Sequence, residues 1–283
     1  LNSIYGSYFF ISLCKGSILL FFGMIIKKRD NEKIAVTAMF IVFLLQPFVD
    51  TPWPEYLFFS FLLLSIYFLI GNKNNYLLFL SGIFYSLAGL TKDNFTLVLF
   101  ASIILFTSYL YFLKFVKKRT FENSFINFYW LSGYLVPLVI FYIYLNQNSI
   151  FNEYLNHFKL GGLATKYYCT SVIDSFFFRI IDCGFISMKY LFHLSFTKIF
   201  TEPYWLFFLI IILTNLIFIF YITFFDKQKF IQNDKKLVIL ISLLSLILFS
   251  NNLYFFTIQR LFTGVSLGII VMIYLVQNLK SPI

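Results

Sequence analysis

Charge is what this sequence has least of. It holds 12 acidic and 22 basic residues in 283, so charged residues make up only 12%. A soluble domain carries about 25%, and a chain this poor in charge cannot clothe a water-facing surface. Histidine is nearly missing. His157 and His193 stand without a second histidine or an acid at metal-ligand spacing, which argues against a zinc site. The three cysteines form no metal-ligand pattern either. Cys14 lies in an apolar run. Cys169 and Cys183 share one loop, where they either pair in an oxidising compartment or stay free thiols. No phosphate-cradling glycine loop and no Ser-His-Asp order can be picked out. A basic leader with a small-residue cleavage site is missing too: the chain opens at Leu1 in a form unlike a signal peptide, and it reads as a fragment lacking its true N-terminus.

What is there is apolar. Hydrophobic residues make up 60% of the chain and the mean hydropathy is +0.84. The 42 Phe and 20 Tyr read mainly as a base-composition habit of the source genome. A helix needs about 20 apolar residues to cross a bilayer core. On that basis the chain predicts an all-α, polytopic transmembrane bundle with spans near 4–26, 34–49, 55–70, 76–90, 94–113, 127–145, 204–225 and 237–254, and a ninth near 261–278. It forms a single domain over 1–283, with no separate soluble part.

The loops give the expected orientation. "KKRDNEK" (27–33), "GNKNN" (71–75), "KFVKKRTFEN" (114–123), "DKQKFIQNDKK" (226–236) and Lys280 hold four, one, four, four and one of the 22 basic residues, fourteen in all. By the positive-inside rule these segments are cytoplasmic. The net charge of +10 is therefore explained by topology, and a nucleic-acid partner is not expected. The opposite face then holds 50–55, 91–94, the long loop 146–203 and 251–260. Within that long loop Lys189, His193 and Thr197 recur every four residues among Phe, Leu, Met and Ile. That spacing predicts an amphipathic helix on the membrane surface; a re-entrant hairpin would keep the same topology.

Five polar residues come out on that second face. Asp50 and Glu55, in "QPFVDTPWPEYLFF", flank a bend set by Pro47, Pro52 and Pro54. A carboxylate at that depth accepts a proton, holds a cation or orients a sugar hydroxyl. The plainer account is that short loops between spans need polar residues. Lys92, in "LAGLTKDNFT", suits a phosphate at headgroup level as a point charge, or snorkels to lipid. Asp93 or Asn94 suits the N-cap of the next helix. Arg260, in "TIQRLFTG", suits bidentate phosphate recognition or interfacial anchoring. Lys15, near the middle of the first span, is a functional candidate by its depth.

The stretch from Pro52 to Phe100, with Gly82, Ala88, Gly89, Leu90, Thr91 and Lys92 at its core, resembles the integral-membrane glycosyltransferases of the GT-C class, the protein O-mannosyltransferase and aminoarabinose-transferase-like superfamily. "QRLFTGVSLGI" is similar to the Arg-containing start of a late helix in that family. The match covers about residues 34–113 and its motif is degenerate. The resemblance implies a helix bundle with a catalytic groove on the outer face. It implies sugar transfer from a polyprenyl-phosphate-linked donor to a glycan, lipid or protein acceptor, in the cytoplasmic membrane of a bacterium. Asp50 and Glu55 are then the expected catalytic residues, orienting the acceptor or a divalent cation. Lys92, Asp93 and Arg260 are the expected substrate contacts. The family's catalytic carboxylate falls in a loop that would precede Leu1, and its usual basic residue at the outer start of the following helix is not matched by Lys15. Two other classes stay open. One is a polysaccharide polymerase or ligase of the O-antigen type, although the long loop holds only Arg179. The other is a transporter or scaffold, which would show polar residues at mid-membrane and inverted repeats; only Lys15 is read at that depth.

Overall fold

The computed structural model describes residues 2–46, 54–71, 74–91, 93–121, 126–156, 204–226, 230–251 and 258–280. Asp50, Lys92, the cysteines of the long loop and the expected surface helix around Lys189, His193 and Thr197 lie outside them. For Asp93, Asn94 and Arg260 the description covers the backbone alone.

Among the described residues the protein is mostly helical. α1 runs Asn2–Arg29, α2 Glu32–Leu45, α3 Pro54–Leu69, α4 Asn75–Leu90, α5 Asp93–Phe115 and α6 Phe128–Gln147. After a helical segment at 151–156, α7 runs Tyr204–Phe224, α8 Asn233–Asn251 and α9 Ile258–Lys280. These helices lie within a few residues of the expected apolar segments. Four of them, in α1, α5, α6 and α7, are long and apolar enough to cross a membrane. That is the signature of a membrane protein. α3 and α4 have 16 residues each, about 24 Å at 1.5 Å per residue, less than the ~30 Å hydrocarbon core.

Local chemistry sets the helix ends. Asn31, Asn74 and Asn127 cap α2, α4 and α6, accepting from the backbone N–H of Ile34 (2.9 Å), Tyr76 (2.9 Å) and Trp130 (3.0 Å). Each satisfies a donor that the helix itself leaves orphaned. Pro54 opens α3, where its missing N–H costs nothing.

The basic ends gather at one end of the bundle. The guanidinium of Arg29, at the end of α1, lies 4.3 Å from the Tyr274 ring of α9. A narrow cleft there is lined by Ile25, Arg29, Ile70, Asp234 and Ile270, from α1, the end of α3, α8 and α9. Lys117, just past α5, stands over the Phe224 ring of α7.

One element was not expected from the sequence. Thr120–Phe121 (β1) pairs in parallel with Phe230–Ile231 (β2) in the loops after α5 and α7. The tie is reinforced by charge. Arg119, 5% exposed, donates to Asp226 Oδ2 at 3.2 Å and to the carbonyl of Ile222 at 2.7 Å, and Lys235 reaches the same Oδ2 at 2.6 Å. The planar guanidinium fork serves a carboxylate and a helix-end carbonyl together in one fixed geometry.

Helix packing follows membrane rules. Large apolar side chains such as Phe9, Phe115, Phe128, Ile140 and Ile217 face outward, while serines and small residues lie inside. α3 packs on α1 and α4, α4 on α6 and α5, and α8 on α5, α7 and α9. α4 and α6 approach backbone to backbone. A Cβ on Gly82 would strike the Trp130 carbonyl oxygen, and one on Gly133 the Phe79 carbonyl oxygen. Without a hydrophobic drive between helices in lipid, such close approach is what holds a pair together.

Candidate functional site

The site is best built from Glu55. It sits in the first turn of α3 and is 2% exposed. Next to it, Tyr56 is buried, and its ring carries the Lys15 ammonium 5.3 Å from the centroid. Lys15 is thus level with the start of α3, although it stands mid-way along α1. The 13 residues of α1 before it reach about 20 Å beyond that level, with Phe9 and Leu13 exposed. The Gln46 amide, at the end of α2, donates to the Lys15 carbonyl at 3.2 Å. One turn further in, the hydroxyls of Ser17 and Ser60 share a hydrogen bond of 2.9 Å.

Two aromatic contacts bring further first turns to the same place. Phe58, three residues after Glu55, meets Phe95 of α5 with ring centroids 4.1 Å apart. Phe59 meets Phe262 of α9 edge-on at 5.6 Å. Asp93 opens α5 two residues before Phe95, and Arg260 lies two residues before Phe262 in α9. The backbones bearing Glu55, Asp93 and Arg260 therefore converge at the end away from the lysine-rich loops. Asp50 and Lys92, the remaining two, lie outside the described residues.

Chemically, this end offers a buried carboxylate, an ammonium on a tyrosine face and an amide. A carboxylate there can accept a hydrogen bond from a hydroxyl or ligate a cation. Among the described residues, no three His, Cys, Asp or Glu side chains gather as a metal site.

Other buried polar groups were not read from the sequence. Asn215 of α7 is fully buried and its amide donates to the Ile211 carbonyl at 2.8 Å. Ser245 of α8 donates to the Gly264 carbonyl of α9 at 2.6 Å. A Cβ on Gly268 would meet the Asn215 amide nitrogen at 2.6 Å. The signal was present in "GVSLG": Gly264 and Gly268 are spaced as a close-approach pair on one helix face. A second network joins Ser65, Ser81 and Trp130, with Ser65 and Ser81 hydroxyls 3.0 Å apart and the indole N–H donating to Ser81 at 3.2 Å.

No protein family, no curated protein and no solved structure matches this chain. The fold and site define an α-helical membrane protein with a buried carboxylate at one end of its bundle.

Proposed function

We propose that this protein is a membrane glycosyltransferase of the GT-C kind, taking a sugar from a polyprenyl-phosphate-linked donor to an acceptor at the outer face of the bacterial cytoplasmic membrane. The observation that carries the reading is the burial of Glu55 on a turn that meets the first turns of α5 and α9, away from the lysine-rich end. Positive charge on one side sets the orientation, and the Glu55 end becomes the outer one.

In this reading Glu55 or Asp50 takes the proton of the acceptor hydroxyl or orients it. The hydroxyl oxygen attacks the anomeric carbon, the bond from that carbon to the phosphate oxygen breaks, and polyprenyl phosphate leaves with the bonding pair. Lys92 and Arg260 neutralise that phosphate, with Asp93 holding the acceptor side and Lys15 adding positive charge at the same level. A divalent cation on the carboxylates is compatible with this scheme and not required by it.

The test is transfer of labelled sugar from a polyprenyl-phosphate donor by the full-length protein in proteoliposomes, comparing Glu55→Gln, Asp50→Asn, Lys92→Ala and Arg260→Ala. Loss of transfer in Glu55→Gln or Asp50→Asn, with the protein still folded, supports the site; unchanged transfer in all four removes it. A second reading, transport, draws on the buried seam of Asn215 and Ser245, polar groups inside the bundle of a kind a carrier needs. Solute uptake without sugar transfer would favour it.

A further inference from the structure

The run "KFVKKR", Lys114 to Arg119, holds four cations at the end of α5. The fold treats them differently. Lys118 adopts a left-handed backbone with φ of 51°, and the N–H of Arg119 returns to the Leu113 carbonyl at 3.2 Å. That reversal sends Arg119 inward to Asp226 and Ile222. Lys114, Lys117 and Lys118 are left exposed. Each end of the patch is apolar: Phe115 is 70% exposed, Phe224 61% and Phe225 63%. The Lys117 ammonium stands 5.1 Å from the Phe224 centroid and that of Lys114 5.9 Å from the Phe115 centroid.

Beneath this patch, α5 and α7 both lean on α8. They meet through the hydroxyls of Tyr109 and Thr223, 2.8 Å apart. Phe112 on α5, with Phe220 and Tyr221 on α7, faces outward just inside the lysines. Three ammoniums therefore cap an exposed aromatic surface at the end of two helices long and apolar enough to cross a membrane.

We propose that Lys114, Lys117 and Lys118 hold the headgroup of an anionic phospholipid from the leaflet at the lysine-rich end, with its acyl chains lying on the exposed aromatics of α5 and α7. The charge is complementary to a lipid phosphate, and among the described residues the nearby carboxylate Asp226 is occupied by Arg119 and Lys235. Aromatic faces keep two of the ammoniums close to the surface, so their attraction acts at short range. This inference is independent of the enzymatic reading.

The experiment measures lipid retention by native mass spectrometry and thermal stability of the full chain, after dilution into detergent doped with phosphatidylglycerol, phosphatidylcholine or inorganic phosphate. Phosphatidylglycerol is expected to be retained and to protect, whereas the other two are not. The triple variant Lys114→Gln/Lys117→Gln/Lys118→Gln is expected to bind phosphatidylglycerol on the order of 100-fold more weakly, since each surface lysine is worth about fivefold. Lys33→Gln, an exposed lysine on α2, serves as the control and leaves retention unchanged. Lys118→Gly separates folding from binding: glycine fits the left-handed backbone better, so stability in lipid-free detergent rises while retention falls. Equal protection by phosphatidylcholine or by inorganic phosphate overturns the proposal, as does undiminished retention by the triple variant.

Discussion

Phe58 and Phe95 meet with ring centroids 4.1 Å apart, and through that contact the turn bearing Glu55 is fixed against the turn that opens α5. Both rings are almost fully buried. Phe58→Ala is expected to cost about 3–5 kcal/mol of stability by cavity formation. It should also lower sugar transfer more than Phe58→Leu does, because leucine keeps the two turns apart by nearly the same volume. Thermal unfolding in detergent, alongside transfer assays on both variants, checks this.

The α4–α6 seam leaves no room for a methyl group. Gly82→Ala and Gly133→Ala each drive a Cβ into a backbone carbonyl of the facing helix, so each should destabilise by about 1–3 kcal/mol through overpacking. The double variant should cost less than the sum, since either methyl group already parts the helices. Denaturant titration of the three proteins measures the coupling.

Asp226 compensates two buried or half-buried cations at once. Asp226→Asn should cost about 3–5 kcal/mol, because Arg119 is then left charged and uncompensated. Arg119→Lys is expected to be milder, losing the fork but keeping the charge. The readout is proteolysis of the loops after α5 and α7, which β1 and β2 hold together: cleavage should accelerate most in Asp226→Asn.

Gly268 gives the α7–α9 contact its closeness. Gly268→Leu would push against the amide of Asn215 and the side chain of Ile211, and the buried amide would lose its place. Unfolding at lower temperature is the expected outcome, with Gly6→Leu, which meets open space, as the unaffected comparison.

Much of the fold was legible because the bilayer imposes a length. A run of apolar residues broken by lysines or by Asn and Pro has few ways to be read, and among the described residues the helices α1 to α9 began and ended within a few residues of expectation. The Asn caps at 31, 74 and 127 belong to the same local chemistry. The candidate site was partly legible. Glu55 stood out as a carboxylate against membrane, but its neighbours did not. Phe58, Phe59, Phe95 and Phe262 are four among 42 phenylalanines, and nothing in their spacing says which will touch. Lys15 was read near mid-span, and only the fold places it level with the start of α3. Arg119 and Asp226 are 107 residues apart, in loops where charge is ordinary, so their pairing left no trace in the sequence.

By itself the sequence determined that the chain is mostly helical and apolar, where the described helices α1 to α9 lie, and that basic residues collect at alternate loops. The physical reason is local: hydrogen bonds in lipid must close within a segment, and charge avoids the hydrocarbon. Tertiary structure alone decided which helices are neighbours, that Glu55 is buried next to the Tyr56 ring on which Lys15 rests, and that Arg119 turns inward while Lys114, Lys117 and Lys118 stay out. Those outcomes depend on side-chain packing between segments far apart in the chain, where many arrangements share one hydrophobic pattern and only close fit separates them.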